Sequence, residues 1–235
     1  MLTVIADKKN INGNEIKITD KSDCNHIRNV FRLGAGDDVR IVDGEFEYIT
    51  EIKEISGKEI KLKIIQKNND DYSLKINIDA AIGILKNEKM NMAIKKLTEI
   101  GINRIIPLQT ERVVVKINEK KEKWDITVKE ALKQCKGVKF TKIAPITKLQ
   151  SINYELYDKI VYAYEESCEN ASLADIIDEN DNNILYIVGP EGGMTKEETF
   201  FLKEKGAIEI SLGKRILRAE TAAIVIGGIL ANVYG

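Results

Sequence analysis

The 235-residue sequence predicts an α/β protein in two parts: a small β domain over residues 1–70 and a larger strand–helix domain over residues 74–235. Three observations carry this. Short runs in which apolar and charged residues alternate fill the first part. After Leu74, strand-like and helix-like runs take turns, the mark of a mostly parallel sheet with helices on its faces. A polar break, Lys67-Asn68-Asn69-Asp70-Asp71, divides the two rhythms and reads as a linker.

In the first part, Asp38–Val42 runs into Asp43-Gly44, a strong hairpin signal because those residues tolerate the positive φ of a tight turn. Phe46–Ile55, a Ser56-Gly57 turn and Glu59–Ile65 follow. Ile60, Leu62 and Ile64 alternate with charged residues, so the strands have one wet face. Their close spacing suggests a small barrel.

In the second part, strands are expected at Lys75–Leu85, Arg104–Leu108, Lys159–Tyr164, Leu185–Val188 and Ile208–Ser211. Helices lie between them. Met90, Ala93, Ile94, Leu97 and Ile100 make one apolar face over Glu88–Ile100, and Gly101 suits the C-terminal cap. Trp124, Val128, Leu132 and Cys135 repeat at helical spacing over Lys120–Lys136, with Gly137 placed to stop that helix. Thr195-x-x-Glu198 is a capping box that opens a helix ending near Gly206. A last helix starts near Glu220. The chain has no internal repeat and no low-complexity tract.

At 43% hydrophobic and 31% charged, the composition is that of an ordinary folded domain. A net charge of −1 gives no global basic field that would advertise nucleic acid. The charge is uneven, however. Lys120–Lys142 carries eight lysines against three acids, a solvated helix face or an RNA-facing surface. Glu165–Asn183 carries seven acids and no base and reads as a solvated loop and helix. No signal peptide opens the sequence, and no apolar run reaches the roughly 18–20 residues that span a bilayer. Cys24, Cys135 and Cys168 stand far apart, with one histidine in the chain. That pattern argues against a metal site and a disulfide framework and suits a cytoplasmic protein.

Gly189-Pro190-Glu191-Gly192-Gly193 follows the apolar run Ile184–Val188. It lacks the GK[ST] ending of a P-loop and the spacing of a Rossmann fingerprint, so two phosphate readings fail. The position still suits a ligand, because open α/β sheets bind beyond the carboxyl ends of their strands. Pro190 stiffens the turn, and Gly192 and Gly193 permit close approach to the backbone. A plain strand-to-helix turn is the competing reading. A second segment, Ser211-Leu212-Gly213-Lys214-Arg215-Ile216-Leu217-Arg218-Ala219-Glu220-Thr221-Ala222, also follows a strand and enters an apolar helix. Arginines directly before a buried helix need a ligand, a partner or an ion pair to justify them. Arg215 reads more simply as a surface arginine; for Arg218 and Glu220 a structural ion pair is the competing, weaker reading.

Together, Val188–Gly193 and Leu212–Ala222 resemble the knotted SPOUT-class methyltransferases. In particular they are similar to the ribosomal small-subunit RNA methyltransferase E family, which methylates N3 of a uridine in 16S rRNA. Lys95-Lys96-Leu97-Thr98-Glu99-Ile100-Gly101, Ile105-Ile106-Pro107-Leu108 and Thr110-Glu111-Arg112 are similar to that family's lysine-rich helix and following strand. His26-x-x-x-Val30-Phe31-Arg32 with Gly36-Asp37 is similar to its N-terminal barrel motif. The ordered set covers nearly the whole chain. One departure lies after Cys135, where the family usually carries an arginine and this sequence offers Lys136 or Lys139.

The resemblance implies a PUA-like RNA-binding barrel over 1–70 and a SPOUT domain with a C-terminal trefoil knot over 74–235. It implies a homodimer and a pocket for S-adenosylmethionine. Val188, Gly189, Pro190, Glu191, Gly192, Gly193, Leu212, Gly213, Ile216, Leu217 and Arg218 would hold this cofactor. Arg218 would donate to a uridine carbonyl, and Glu220 would serve as base or orient Arg218. Glu191 would be a counter-charge or a brace for its own turn. His26, Arg28, Arg32, Lys95, Lys96 and Arg112 would contact 16S rRNA or the small ribosomal subunit. The apolar helix Ala222–Val233 would pack against a second copy, with Gly227-Gly228 allowing backbone approach. A non-catalytic RNA-binding assembly factor is the rival reading, and a nucleotide-dependent α/β enzyme a third.

Overall fold

A computed structural model of the chain describes residues 1–165, 167, 173–178 and 180–234. Cys168 and part of the acidic run after Glu165 lie outside the described residues. Two compact units emerge: Met1–Ser73 with Leu132–Phe140, and Leu74–Ala131 with Thr141–Gly235.

The first unit holds β1 (Leu2–Ile5), β2 (Ile11–Asn12), β3 (Glu15–Ile18), β4 (Asp38–Val42), β5 (Phe46–Ile55) and β6 (Ile60–Asn69). They form one sheet in the order β1-β4-β5-β6-β3-β2, antiparallel except for the β1–β4 pair. The alternation read from the sequence is its cause: Ile60 and Leu62 are fully buried and their charged neighbours are not. The Asp43-Gly44 turn forms as expected. Gly44 sits at φ 92°, and the Asp43 carboxylate accepts from the Glu45 and Phe46 amides at 2.9 and 2.7 Å. Between β3 and β4, α1 (Lys21–Asn25) starts under its Asp20 cap and runs into a π-helical turn, His26–Val30.

The expected linker is corrected. Lys67, Asn68 and Asn69 belong to β6 and pair with Tyr48, Glu47 and Phe46. Polarity misled because the partners answer it: Lys67 Nζ lies 3.4 Å from the Phe46 ring centroid, and Asn68 donates to Glu47 at 2.9 Å.

A buried ion pair sits at the centre of this unit. Arg40 and Glu47 are 4% and 6% exposed and bonded to each other. Arg40 also donates to the Lys136 carbonyl at 2.7 Å and lies 5.4 Å from the Tyr72 ring. Burial pushes the Glu47 carboxyl up, but hydrogen bonds from Asn68 and Arg40 outweigh it and hold the group below its ordinary 4.5. A depressed carboxylate stabilises the fold above its unfolded value and loses that contribution as pH falls through its folded value. Stability is therefore expected to decline below about pH 4.5. Glu47→Gln should cost about 3–5 kcal/mol at neutral pH, because it strands a buried guanidinium, and should flatten this acid limb. Urea titrations at several pH values check both.

The Leu132–Phe140 segment explains Arg40's carbonyl partner. The helix entering it ends at Cys135, and Lys136 takes the left-handed position at φ 62°. The expected stop, Gly137, comes one residue later, where a Cβ would lie 2.7 Å from Leu132.

The second unit holds β7 (Asn77–Gly83), β8 (Arg104–Gln109), β9 (Lys142–Ile143), β10 (Thr147–Lys148), β11 (Lys159–Ala163), β12 (Asn183–Val188) and β13 (Ile208–Ile210). The sheet runs β10-β8-β7-β12-β11-β13, with β9 also beside β8 and every pairing parallel. Helices are α2 (Asn87–Ile100), α3 (Glu122–Cys135), α4 (Leu173–Ile176), α5 (Lys196–Glu204) and α6 (Ala219–Tyr234). β12 is buried on both faces, as the unbroken apolar run required. Ile184 and Tyr186 point into a core shared with α2 and α6, and Leu185 and Ile187 into one shared with α5. Gly101 caps α2 at φ 95°, and Thr195 with Glu198 closes the capping box of α5.

One expectation about α6 needs correction. The close approach at Gly227 is intramolecular: a Cβ there would lie 2.9 Å from the Tyr186 hydroxyl and 3.1 Å from Leu97. Gly228 faces open space. Among the described residues, no helix is long and apolar enough to cross a membrane.

Candidate active site

Register builds the site. Ala163 pairs with Val188 on one side and Ile210 on the other. The chain therefore leaves β11, β12 and β13 at one level, at the carboxyl edge of a parallel sheet. A cleft of about 350 Å³ opens there. Val188–Glu191 and Gly193 form one wall, and Leu212, Gly213 and Ile216–Arg218 the other. The structure thus brings together two segments about twenty residues apart in the chain.

The first wall is a closed turn. The Gly193 amide donates to the Pro190 carbonyl at 2.9 Å, and Gly193 adopts φ 72°. The turn rests on β7 at a point no side chain could occupy. A Cβ on Gly83 would lie 2.3 Å from the Pro190 nitrogen and 2.9 Å from the Gly189 carbonyl carbon. Gly192 does not line the cleft; it packs on the backbone of Arg112.

Glu191 braces the turn. Its Oε1 accepts from the Lys86 amide at 3.3 Å and from Lys89 Nζ at 3.2 Å. Burial pushes its carboxyl up, yet the backbone amides and Lys89 prevail and hold it below the ordinary value. Its Oε2 is buried without a partner.

Arg218 and Glu220 part company. Arg218 is exposed, lines the cleft and has no side-chain partner among the described residues. Glu220 is 4% exposed, lies off the cleft lining, and its Oε2 has no partner. The ion pair between them that sequence spacing allowed is absent among the described residues.

Sequence reasoning missed Glu165 and Lys89. Glu165 follows β11, and its Oε1 lies 2.1 Å from where a Gly193 Cβ would stand. Both line the cleft. Glu165 sits at the head of an acidic run, and nothing in that run sets it apart from the rest.

Of the residues expected to touch RNA, His26 and Arg32 are exposed in the first unit, and Lys95 is exposed on α2. Lys96 is exposed and pairs with Glu99 at 2.7 Å. Two arginines are used internally. Arg28 donates to the Ser56 and Gly57 carbonyls. Arg112 donates to the Gly192 and Met194 carbonyls at 3.3 and 3.4 Å and so clamps the end of the Gly189–Gly193 turn.

What would fit this cleft is a small ligand within the usual pocket range of about 300–1,000 Å³. Glycines line the first wall where Cβ atoms would fill space, and two carboxylates stand at it. That chemistry suits a molecule read by main-chain groups and carrying positive charge, and it suits a nucleotide polyphosphate poorly. Among the described residues, no group of three His, Cys, Asp or Glu side chains gathers to hold a metal ion.

Comparisons with known proteins identify the family. The family model described as an RNA methyltransferase domain matches residues 72–231, and that described as an RNA methyltransferase PUA domain matches residues 18–65. Ribosomal RNA small subunit methyltransferase E of Bacillus subtilis (strain 168) is 32% identical over 215 residues, covering 86% of this chain and 84% of its own. The protein of the same name from Rickettsia conorii is 30% identical, covering 90% and 87%. The solved Ribosomal RNA small subunit methyltransferase E from Neisseria gonorrhoeae, bound to S-adenosyl methionine, shares the fold with a TM-score of 0.88 at 23% identity over 100% of this chain and 98% of that one.

Proposed function

Because this chain belongs to the ribosomal RNA small subunit methyltransferase E family, we propose that it uses S-adenosylmethionine to methylate N3 of a uridine in 16S rRNA. The observation that carries the reading is the cleft between the two glycine-bearing loops, with an unpartnered arginine on its wall. When bound, the cofactor supplies an electrophilic methyl group on a sulfonium.

The chain's own part follows from the cleft. Main-chain groups of Val188–Glu191, Gly193 and Leu212–Leu217 would hold the cofactor, and Glu165 would set a carboxylate beside it. The pre-formed turns would position the bound methyl donor against N3, and positioning of this kind lowers a barrier. Methylation at N3 requires loss of the N3 proton, and negative charge then spreads to O2 and O4. Arg218 donates to one of these oxygens and stabilises that charge. Glu220, two residues on and buried with an unpartnered Oε2, takes the N3 proton as base or orients Arg218.

Arg32, Lys95 and Lys96 would place phosphates, fixing register without reading sequence, and His26 would touch the same RNA. A PUA-like barrel over 1–70 and a knotted SPOUT domain over 74–235 complete the proposal, supported by the family. So does a homodimer. Val225, Ile229 and Val233, 37%, 38% and 55% exposed, form an unpaired apolar stripe along α6 that suits a second copy. A cytoplasmic location fits work on ribosomal RNA.

Mass spectrometry of rRNA nucleosides from cells with and without the protein tests this. Loss of 3-methyluridine alone is the expected result. Unchanged nucleosides, with cofactor binding intact, would point to an assembly role instead.

A further inference from the structure

Two backbone irregularities fall together in the first unit, at residues 26–32. The Phe31 amide donates to the His26 carbonyl at 2.9 Å, and the Leu33 amide to Ile27 at 3.0 Å, so the turn is wound wider than an α-helix. Arg32 then sits at φ 54°, a left-handed region that a non-glycine residue adopts only at a cost. Rare winding and a strained residue side by side are a recurrent mark of functional sites.

The winding has a consequence for side chains. In an α-helix, positions i and i+5 point about 140° apart. The wider turn brings His26 and Phe31 to one side, with ring centroids 5.3 Å apart and planes tilted by 51°. Both are exposed, Phe31 to 49%. Val30, 60% exposed, extends the exposed ring of Phe31 into an apolar patch, the kind of surface that marks an interaction site. Arg32 beside them has no side-chain partner among the described residues. Arg28 pins the turn through the Ser56 and Gly57 carbonyls, next to exposed Lys58.

We infer that His26 and Phe31 form a platform on which one unpaired base of the RNA substrate stacks, while Arg32 meets its phosphate. This rests on the function proposed above. Stacking on an aromatic face accepts any base and needs no edge contacts. The platform therefore accounts for an aromatic at position 31, which phosphate placement by arginines alone leaves without a purpose. The RNA methyltransferase PUA match spans these residues.

The test uses the full-length protein and a single-stranded RNA carrying 2-aminopurine, whose fluorescence is quenched on stacking. Wild type should quench it. Phe31→Ala and Phe31→Leu should weaken binding about 5- to 100-fold, and Phe31→Trp should retain it. Methylation of small subunits should follow the same order in KM, with affinity for S-adenosylmethionine unchanged. Wild-type binding by Phe31→Leu would overturn the inference and mark the patch as a packing or protein-docking surface. So would an unquenched wild type. If wild type quenches the probe yet transfers no methyl group, the platform stands and the uridine reading falls.

Discussion

Arg218→Ala should lower single-turnover methyl transfer by about 10²–10³-fold, the usual loss when one donor to a developing oxyanion is removed. The reasoning is geometric. Arg218 lines the cleft, is exposed and holds no side-chain partner among the described residues, so no packing or ion pair is lost with it. Its carbonyl, which accepts from the Ala222 amide at 2.8 Å at the start of α6, survives the substitution. Thermal stability and cofactor affinity should stay near wild type. Arg218→Lys should recover only part of the rate, because an ammonium cannot present a planar fork. Turnover by Arg218→Ala close to wild type, at saturating cofactor and subunits, would sink the assignment.

Gly83→Ala is expected to be the most damaging small substitution near the cleft, although Gly83 lies behind its wall and not in its lining. The added carbon would stand 2.3 Å from the Pro190 nitrogen, a backbone atom with no freedom to swing aside. Overpacking typically costs about 1–3 kcal/mol, and here relief requires moving the turn that forms one wall. Stability and cofactor affinity should fall together. Gly57→Ala is the control, since a Cβ there meets nothing within 4 Å. It should leave both unchanged. Thermal unfolding and calorimetry with S-adenosylmethionine read the two variants. A Gly83→Ala protein with wild-type melting and affinity would show that the turn does not depend on β7.

Much of this was visible in the sequence, for physical reasons. The α2 face, its Gly101 cap and the Thr195–Glu198 box are local patterns, and local patterns survive folding. β12 could be found because a strand buried on both faces must be apolar throughout. The two glycine-bearing loops could be found because each follows a strand directly. What escaped depends on distance in the chain. Glu165 reaches the cleft only because β11 lies between β12 and β13, and no spacing rule encodes that. Gly83 looks like a weak point in a strand until the Pro190 turn is seen against it. The β6 extension was hidden by polar residues whose partners sit on β5. The wide turn at His26–Val30 leaves no periodic trace in five residues.

The parallel sheet also sets a timetable for synthesis. β7 pairs with β12, and Asn77 meets Asn183 across 106 residues of chain. At about 5–20 residues per second, translation needs on the order of 5–20 s to deliver that partner. For this interval one edge of a nearly all-apolar strand, residues 78–83, waits without its neighbour. Asp79 interrupts that strand. In the finished protein it is 2% exposed and satisfied by Asn103, Arg104 and Tyr157. On the emerging chain it is a bare charge, the kind of gatekeeper that keeps a waiting strand from pairing with the wrong chain. One carboxylate thus serves twice, first as a guard on the nascent polypeptide and later as an anchor in the folded one.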